Sequence, residues 1–311
     1  MCGQGRTRQH GAVSDVVLRT AGLTKQYGDV VALDHLDLEL VRGEVFGYLG
    51  PNGAGKTTTL RLLLGLIHAT AGSATVLGLD PWRDGVELHR RVAYVPGEFT
   101  VWPSLTGAEM LELLGNLHGG HDPSSRDEMC DRFDFDPSRK GRTYSKGNRQ
   151  KIALISALMV KPELLLLDEP TAGLDPLMEV RFREVLAEGL QQGQTALLSS
   201  HILSEVDAVC DRVGILRTGR LVEVGPLDAL RINVARHVEI VFVDPAPDLS
   251  MVTGVSDLTT DGSHVRCTIT GEPTELLRAI APHRVASMVT EDADLEEIFL
   301  AYYGRTEPGS P

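Results

Sequence analysis

The chain has 311 residues, 42% of them apolar, which is enough for about two domains with buried cores. Its 43 acidic residues against 30 basic ones give a formal charge of −13, and duplex binding needs basic contacts along the phosphates, so the balance argues against nucleic acid as the main partner without excluding a local basic patch. No apolar run reaches the ~18 residues of a membrane span, and the four cysteines (Cys2, Cys130, Cys210, Cys267) are scattered without a CxxC pair, which fits a reducing cytosol with neither a disulfide framework nor a zinc site.

Residues 1–15 carry positive charge and no apolar h-region, so they read as a disordered tail and not as a secretory signal. "DVVLRTAGLTKQYGDVVALDHLDLEL" alternates around a Gly-Asp turn and predicts antiparallel strands. "GEVFGYLG" predicts a short buried strand, and "KTTTLRLLLGLI" a helix with leucines on more than one face. "ELLLLDEP" predicts a fully buried strand ending in acids and a proline, and "QTALLSSH" another strand. "SEVDAVCDRVGIL" predicts a helix running into a strand. Strands alternating with helices imply a mainly parallel sheet covered on both sides.

Near residue 232 the texture changes. "HVEIVFV" and "SDLTTDGSHVRCTIT" predict strands, the latter folded at an Asp261-Gly262 hairpin turn. "PTELLRAIA" predicts a helix, "RVASMVT" a strand, and "DLEEIFLAYYG" a final helix that packs Leu295, Ile298, Phe299 and Tyr302 on that small sheet. The expected division is a tail over 1–15, a large α/β domain over 16–231, a small α+β accessory domain over 232–305 and a second tail over 306–311.

Three stretches carry chemistry. "GPNGAGKTT" (Gly50, Pro51, Asn52, Gly53, Ala54, Gly55, Lys56, Thr57 and Thr58) fits G-x-x-x-x-G-K-[ST] at every position, between a predicted strand and a predicted helix. Gly53 and Gly55 let the backbone curl so that N–H groups point at phosphate oxygens, Lys56 adds a cation near the β- and γ-phosphates, and Thr57 offers a hydroxyl to Mg²⁺. Asp168 and Glu169 follow four leucines, so a buried strand delivers two carboxylates to the sheet's carboxyl edge. Asp168 is the expected Mg²⁺ partner and Glu169 the expected base for an attacking water. His201 ends the strand "TALLSSH", where an imidazole could hold a γ-phosphate. "YSKGNRQK", a small polar loop before the apolar run "IALISALMV", has the form of a helix N-terminus that binds an anion, which makes a second phosphate loop in one chain.

The order "GPNGAGKTT", "YSKGNRQK", "LLLLDEP", "TAGLD", "SSH" resembles the nucleotide-binding subunit of an ABC transporter from Val16 to about Arg231. The resemblance implies a P-loop NTPase of ABC type, with a parallel sheet core, an antiparallel β subdomain and a helical subdomain, followed by the small α+β domain. It also implies ATP and Mg²⁺ as ligands. "YSKGNRQK" is similar to the family's signature loop. Ser145 and Gly147 match the positions that touch the γ-phosphate, while Lys146 and Asn148 stand where glycine and glutamine are commonest; Asn148 is counted with the nucleotide-binding set. In the family each ATP lies between the P-loop of one chain and the signature loop of another, so the resemblance implies a second ATP-binding chain, most simply another copy. Tyr27 falls where an aromatic ring stacks on adenine, the alternative being an ordinary strand tyrosine. Asp175, in "TAGLD", matches the loop that communicates across the pair. The glutamine that usually follows "VAYVP" is missing: Gly97 takes its place, and Glu98 either assumes the role near Mg²⁺ or is a solvated loop acid. "GEFTVWPSLTGAEML" lies where a membrane partner docks, with Phe99 and Trp102 either forming an apolar socket or packing in the core.

"YVPGEF", "SKGN" and the ending "DLEEIFLAYYG" resemble the ATPase subunit of bacterial ABC-2-type exporters, including the daunorubicin- and tetronasin-like antibiotic exporters. The resemblance then implies a separate integral membrane permease, a location at the cytoplasmic face of the membrane, and export of drugs, antibiotics or other amphiphiles. An importer ATPase and a soluble, non-transport ABC ATPase are the alternatives. A single ATPase unit without a heptad run or a cysteine cluster disfavours the soluble class.

Overall fold

A computed structural model describes residues 16–201, 203–227, 229 and 236–291. The expected tails at 1–15 and 306–311 and the expected final helix "DLEEIFLAYYG" lie outside the described residues. Two compact units are distinguished: residues 16–46, 55–199 and 218–220 form the first, and the remaining described residues the second.

The first unit opens with an antiparallel sheet of β1 (Val16–Tyr27), β2 (Val30–Leu36), β3 (Glu39–Val41) and β5 (Ala71–Val76), in which β1 pairs with each of the other three. β1 and β2 join through Gly28-Asp29, with Tyr27 opposite Val30, as the Gly-Asp signal predicts. A second sheet places β6 (Val92–Val95), β7 (Leu164–Asp168) and β8 (Thr195–Ser200) side by side and parallel, with β7 in the middle. Every residue of β7 and β8 is buried, which accounts for their unbroken apolar runs. The short α2 (Gly85–Leu88) precedes β6, and between β6 and β7 come α3 (Gly107–Leu117), α4 (Pro123–Arg132) and α5 (Lys146–Leu158), with α5 packed against both α3 and α4. Thr106 and Glu109 form a reciprocal capping box that starts α3. Helix α6 (Pro176–Gln191) follows β7.

Helix α1 (Lys56–Leu63) is shorter than "KTTTLRLLLGLI" predicts. Gly65, at φ +65°, donates its N–H to the Leu62 carbonyl, and the Leu66 N–H bonds the Arg61 carbonyl. These two bonds are the reverse turn that closes a helix at a left-handed glycine. A Cβ at Gly65 would stand 2.1 Å from the Pro81 carbonyl oxygen, so the chain must turn here on a residue without a side chain.

β4 (Val45–Leu49), β9 (Arg212–Arg217) and β10 (Arg220–Pro226), which belong to the second unit except for residues 45–46 and 220, run in the order β10-β9-β4, and the short α7 (Leu203–Asp207) precedes β9. The C-terminal strands β11 (Arg236–Phe242), β12 (Val255–Asp261), β13 (His264–Ile269) and β14 (Val285–Glu291) form an antiparallel sheet ordered β12-β13-β11-β14. Helix α8 (Thr274–Ile280) closes it, with Val238, Ile240, Phe242, Leu276 and Ile280 in the core. The predicted hairpin lies one residue further on: Asp261 still pairs with His264, so the turn residues are Gly262, at φ +61°, and Ser263.

Gly65→Ala is expected to destabilise the protein by at least the 1–3 kcal/mol, on the order of magnitude, of a strained left-handed residue. Urea denaturation of variant and wild type measures it; equal midpoints would contradict the role given to Gly65.

Candidate functional site

Strand β4 is buried throughout and runs directly into the loop Gly50–Gly55, from which α1 starts. Gly53 and Gly55 take φ of +83° and +114°, a region that L side chains rarely occupy. Gly55 is the N-cap of α1 and supplies no side-chain cap, and no acidic residue lies in the first turn. The helix therefore presents its first N–H groups and the positive end of its dipole without a side-chain competitor, next to exposed Pro51, Asn52 and Gly53. Thr58, the last residue of the motif, is half-buried in the first turn.

Lys56 is buried, and its Nζ lies 3.9 Å from Oε1 of Glu169. Burial pulls its pKa down, and the carboxylates of Glu169 and Asp168 pull it back up. The Thr57 hydroxyl donates to Oδ2 of Asp168 at 2.8 Å. Two consecutive residues of α1 thus face two consecutive residues at the end of β7. Asp168 is itself buried, with only 4% of its surface exposed, and has two further hydroxyl donors. Ser199 Oγ donates to Oδ1 at 2.6 Å, and the Tyr94 hydroxyl approaches Oδ2 at 3.5 Å. Desolvation, then the neighbouring Asp168 charge, pushes the Tyr94 phenol up to about 12, so it stays a donor. Glu169 adopts φ +48° and donates its N–H to the Ser199 carbonyl at 2.9 Å. Among the described residues no three His, Cys, Asp or Glu side chains could hold a metal ion by themselves, whereas Thr57 and Asp168 offer two adjacent oxygens to a cation that arrives with further oxygens of its own.

The second loop is a capped helix start. Ser145 N-caps α5, its Oγ accepting the Asn148 N–H at 3.3 Å. A Cβ at Gly147 would stand 2.6 Å from the Gly173 carbonyl oxygen, so only glycine allows the "SKGN" and "TAG" segments to meet. Asp175 N-caps α6, accepting the Met178 N–H at 3.1 Å ahead of Pro176. Gln150, buried on α5, donates to the Pro170 carbonyl at 3.0 Å and reaches the Pro96 carbonyl at 3.4 Å.

The remaining expected residues are placed as follows. Tyr27 is 46% exposed at the end of β1, with the Lys25 ammonium 4.8 Å from its ring centroid. The Cβ of any residue at position 97 would point at the acid pair, 3.3 Å from the Asp168 carbonyl oxygen and 3.9 Å from Cβ of Glu169; glycine stands there and Glu98 is exposed. Trp102 is at the surface and Phe99 half-buried. His201 follows β8 in the chain and is exposed. Sequence reasoning missed Ser199, Tyr94 and Gln150. The serine pair of "LLSSH" and the tyrosine of "VAYVP" are visible in the sequence, but their proximity to Asp168 arises only from strand pairing.

The ABC transporter family pattern matches residues 33–172. The chain is 35% identical to a bacitracin transport ATP-binding protein of Bacillus licheniformis, over 73% of this chain and 76% of that protein. It is 34% identical to a daunorubicin resistance ATP-binding protein of Streptomyces coeruleorubidus, over 94% of this chain and 97% of the relative. Among solved structures, an ATP-binding subunit of an ABC transporter superposes with a TM-score of 0.65 at 30% identity, covering 69% of this chain and 92% of the other.

Lys56→Ala removes the buried cation at the start of α1. Hydrogen bonds to charged groups are worth about 1.5–3 kcal/mol, so affinity for an ATP analogue is expected to fall by about 10–150-fold. Calorimetric titration reads the change, and unaltered affinity would remove Lys56 from the site.

Proposed function

The chain belongs to the ATP-binding subunits of ABC transporters, and from this premise we propose how its residues bind and hydrolyse ATP and what they drive. As a member of that family it is an ATPase coupled to transport, and its drug- and antibiotic-exporter relatives make it the motor of an export system whose permease is a separate chain.

The juxtaposition of Lys56-Thr57 with Asp168-Glu169 carries the mechanistic reading. Backbone N–H groups of Gly53–Thr58 hold the phosphates, and Lys56 stands against the β- and γ-oxygens. Mg²⁺ fits the oxygens of Thr57 and Asp168, and when bound it neutralises charge on the β- and γ-phosphates. Glu169 orients a water and takes its proton as the water oxygen bonds to the γ-phosphorus and the bond to the β–γ bridging oxygen breaks. His201 holds the γ-phosphate from the chain segment after β8, Tyr27 offers an exposed ring face to adenine, and Asp175 is a contact of the shared site. Glu98, exposed next to Gly97, is the candidate for the missing glutamine's role near Mg²⁺, the alternative being a solvated loop acid.

Ser145, Gly147 and Asn148 serve the nucleotide of a second copy. Their loop already packs on Gly173 of its own chain, and one chain has one loop of each kind. A twofold pair therefore encloses two nucleotides, each bridging both copies. Loss of the γ-phosphate removes the bridge and lets the pair open, which is the motion delivered to the permease. Among the described residues no helix is long and apolar enough to cross a membrane. Docking on the permease from the cytoplasmic face is part of the proposal and rests on the relatives named as transport and resistance ATP-binding proteins. Exposed Trp102 supports a docking surface at 97–111. The division into an ATPase domain over 16–231 and an accessory domain over 232–305 belongs to the same proposal. Antibiotics and other amphiphilic drugs are the proposed cargo, in keeping with the relatives named for bacitracin transport and daunorubicin resistance.

Glu169→Gln is expected to retain ATP binding and lose about 10²–10⁴ in turnover, the usual contribution of a positioned base. A phosphate-release assay on the purified variant decides it; near-wild-type turnover would rule out Glu169 as the base.

A further inference from the structure

We propose that Ser199 is a positioning residue for the acid pair, and that its hydroxyl sets the orientation in which Asp168 meets the nucleotide's metal. The proposal rests on the reading of Asp168 as a metal ligand. Ser199 is completely buried and lies opposite Asp168 in the parallel register of β7 and β8. It makes two bonds to two consecutive residues. Its hydroxyl donates to Oδ1 of Asp168 at 2.6 Å, and its carbonyl accepts the Glu169 N–H at 2.9 Å.

The two bonds do different things. The main-chain bond helps hold Glu169 at φ +48°, an unfavourable conformation that the surroundings must maintain. Any residue at position 199 could make it. The hydroxyl bond is specific to the side chain. A carboxylate on a strand end turns freely about its Cβ–Cγ bond, so a donor fixed on Oδ1 determines where Oδ2 points. Here Oδ2 points at the Thr57 hydroxyl, 2.8 Å away. Ser199 on one side and Thr57 on the other thus fix the plane of the carboxylate before any nucleotide arrives. The neighbouring Ser200 directs its hydroxyl to Oε2 of Glu205 at 2.9 Å, in keeping with the alternation of side chains along a strand.

The test is Mn²⁺ binding to the full chain in the presence of the non-hydrolysable analogue adenylyl imidodiphosphate, with free Mn²⁺ read by electron paramagnetic resonance. Partners that orient a metal ligand typically account for about 10–100-fold in metal affinity, so Ser199→Ala should weaken Mn²⁺ by that factor. Metal-free analogue binding and the urea midpoint should change little. Ser199→Thr, which keeps the hydroxyl, should recover the affinity. Ser199→Cys, nearly isosteric with a weak donor, carries the expectation of the alanine variant if that one does not fold. Mn²⁺ affinity in Ser199→Ala within about twofold of wild type would overturn the role, given the 10-fold lower bound. So would an equal loss of metal-free analogue affinity, which would make Ser199 merely structural. Failure of the wild type itself to take up Mn²⁺ with the analogue would overturn the nucleotide–metal reading as a whole.

Discussion

A buried carboxylate is costly unless its oxygens find donors, and the site is organised around meeting that demand at Asp168. Its two oxygens receive the hydroxyls of Ser199 and Thr57, with the Tyr94 phenol alongside. These donors come from β8, α1 and β6, so each neighbouring element is tied to the end of β7 by a side chain as well as by packing. The arrangement also explains why β7 can be apolar for four residues and then abruptly acidic. The leucines bury the strand, and the hydroxyl cage makes the acidic end tolerable inside it.

Glycine at special places does the complementary work. Gly55 lets the chain enter α1 in a conformation that bares the helix end, and Gly147 lets the start of α5 come against the Gly173 carbonyl. The second contact ties the "SKGN" loop to a neighbour within its own chain. Ser145 spends its hydroxyl on capping its own helix, and the loop's internal neighbour is the "TAG" segment. Gln150 ties that same helix to Pro170, just after Glu169. The start of α5 is thereby linked to Glu169 of the same copy through one hydrogen bond and one peptide bond. Under the proposed pairing, this bond is a physical route from one shared site to the other.

Much of this is legible in the sequence because the signals are local. The loop Gly50–Thr58, the acids after four leucines and the small polar loop before the apolar run of α5 announce themselves within a few residues of their structural effect. The end of α1 is not legible in the same way. Its leucine pattern runs on past Gly65, and the turn there is enforced by Pro81, which only the fold brings near. The hairpin at Gly262 slips by one residue because strand pairing persists to Asp261. Ser199 and Asp168 are 31 positions apart and meet through parallel pairing, for which the sequence carries no register signal. The missing glutamine at position 97 was visible, whereas the direction its side chain would have taken required the backbone.

In the proposed pair, one copy's P-loop and another copy's "SKGN" loop make a single hydrolytic site. Complementation tests it most directly. Lys56→Ala and Ser145→Arg, purified separately, should each hydrolyse ATP poorly, because every site in either homodimer lacks one half. Mixed, they form a heterodimer in which the intact Lys56 of one copy meets the intact Ser145 of the other, and activity should return. Separate variants that hydrolyse ATP normally, or a mixture no more active than its parts, would contradict the shared site.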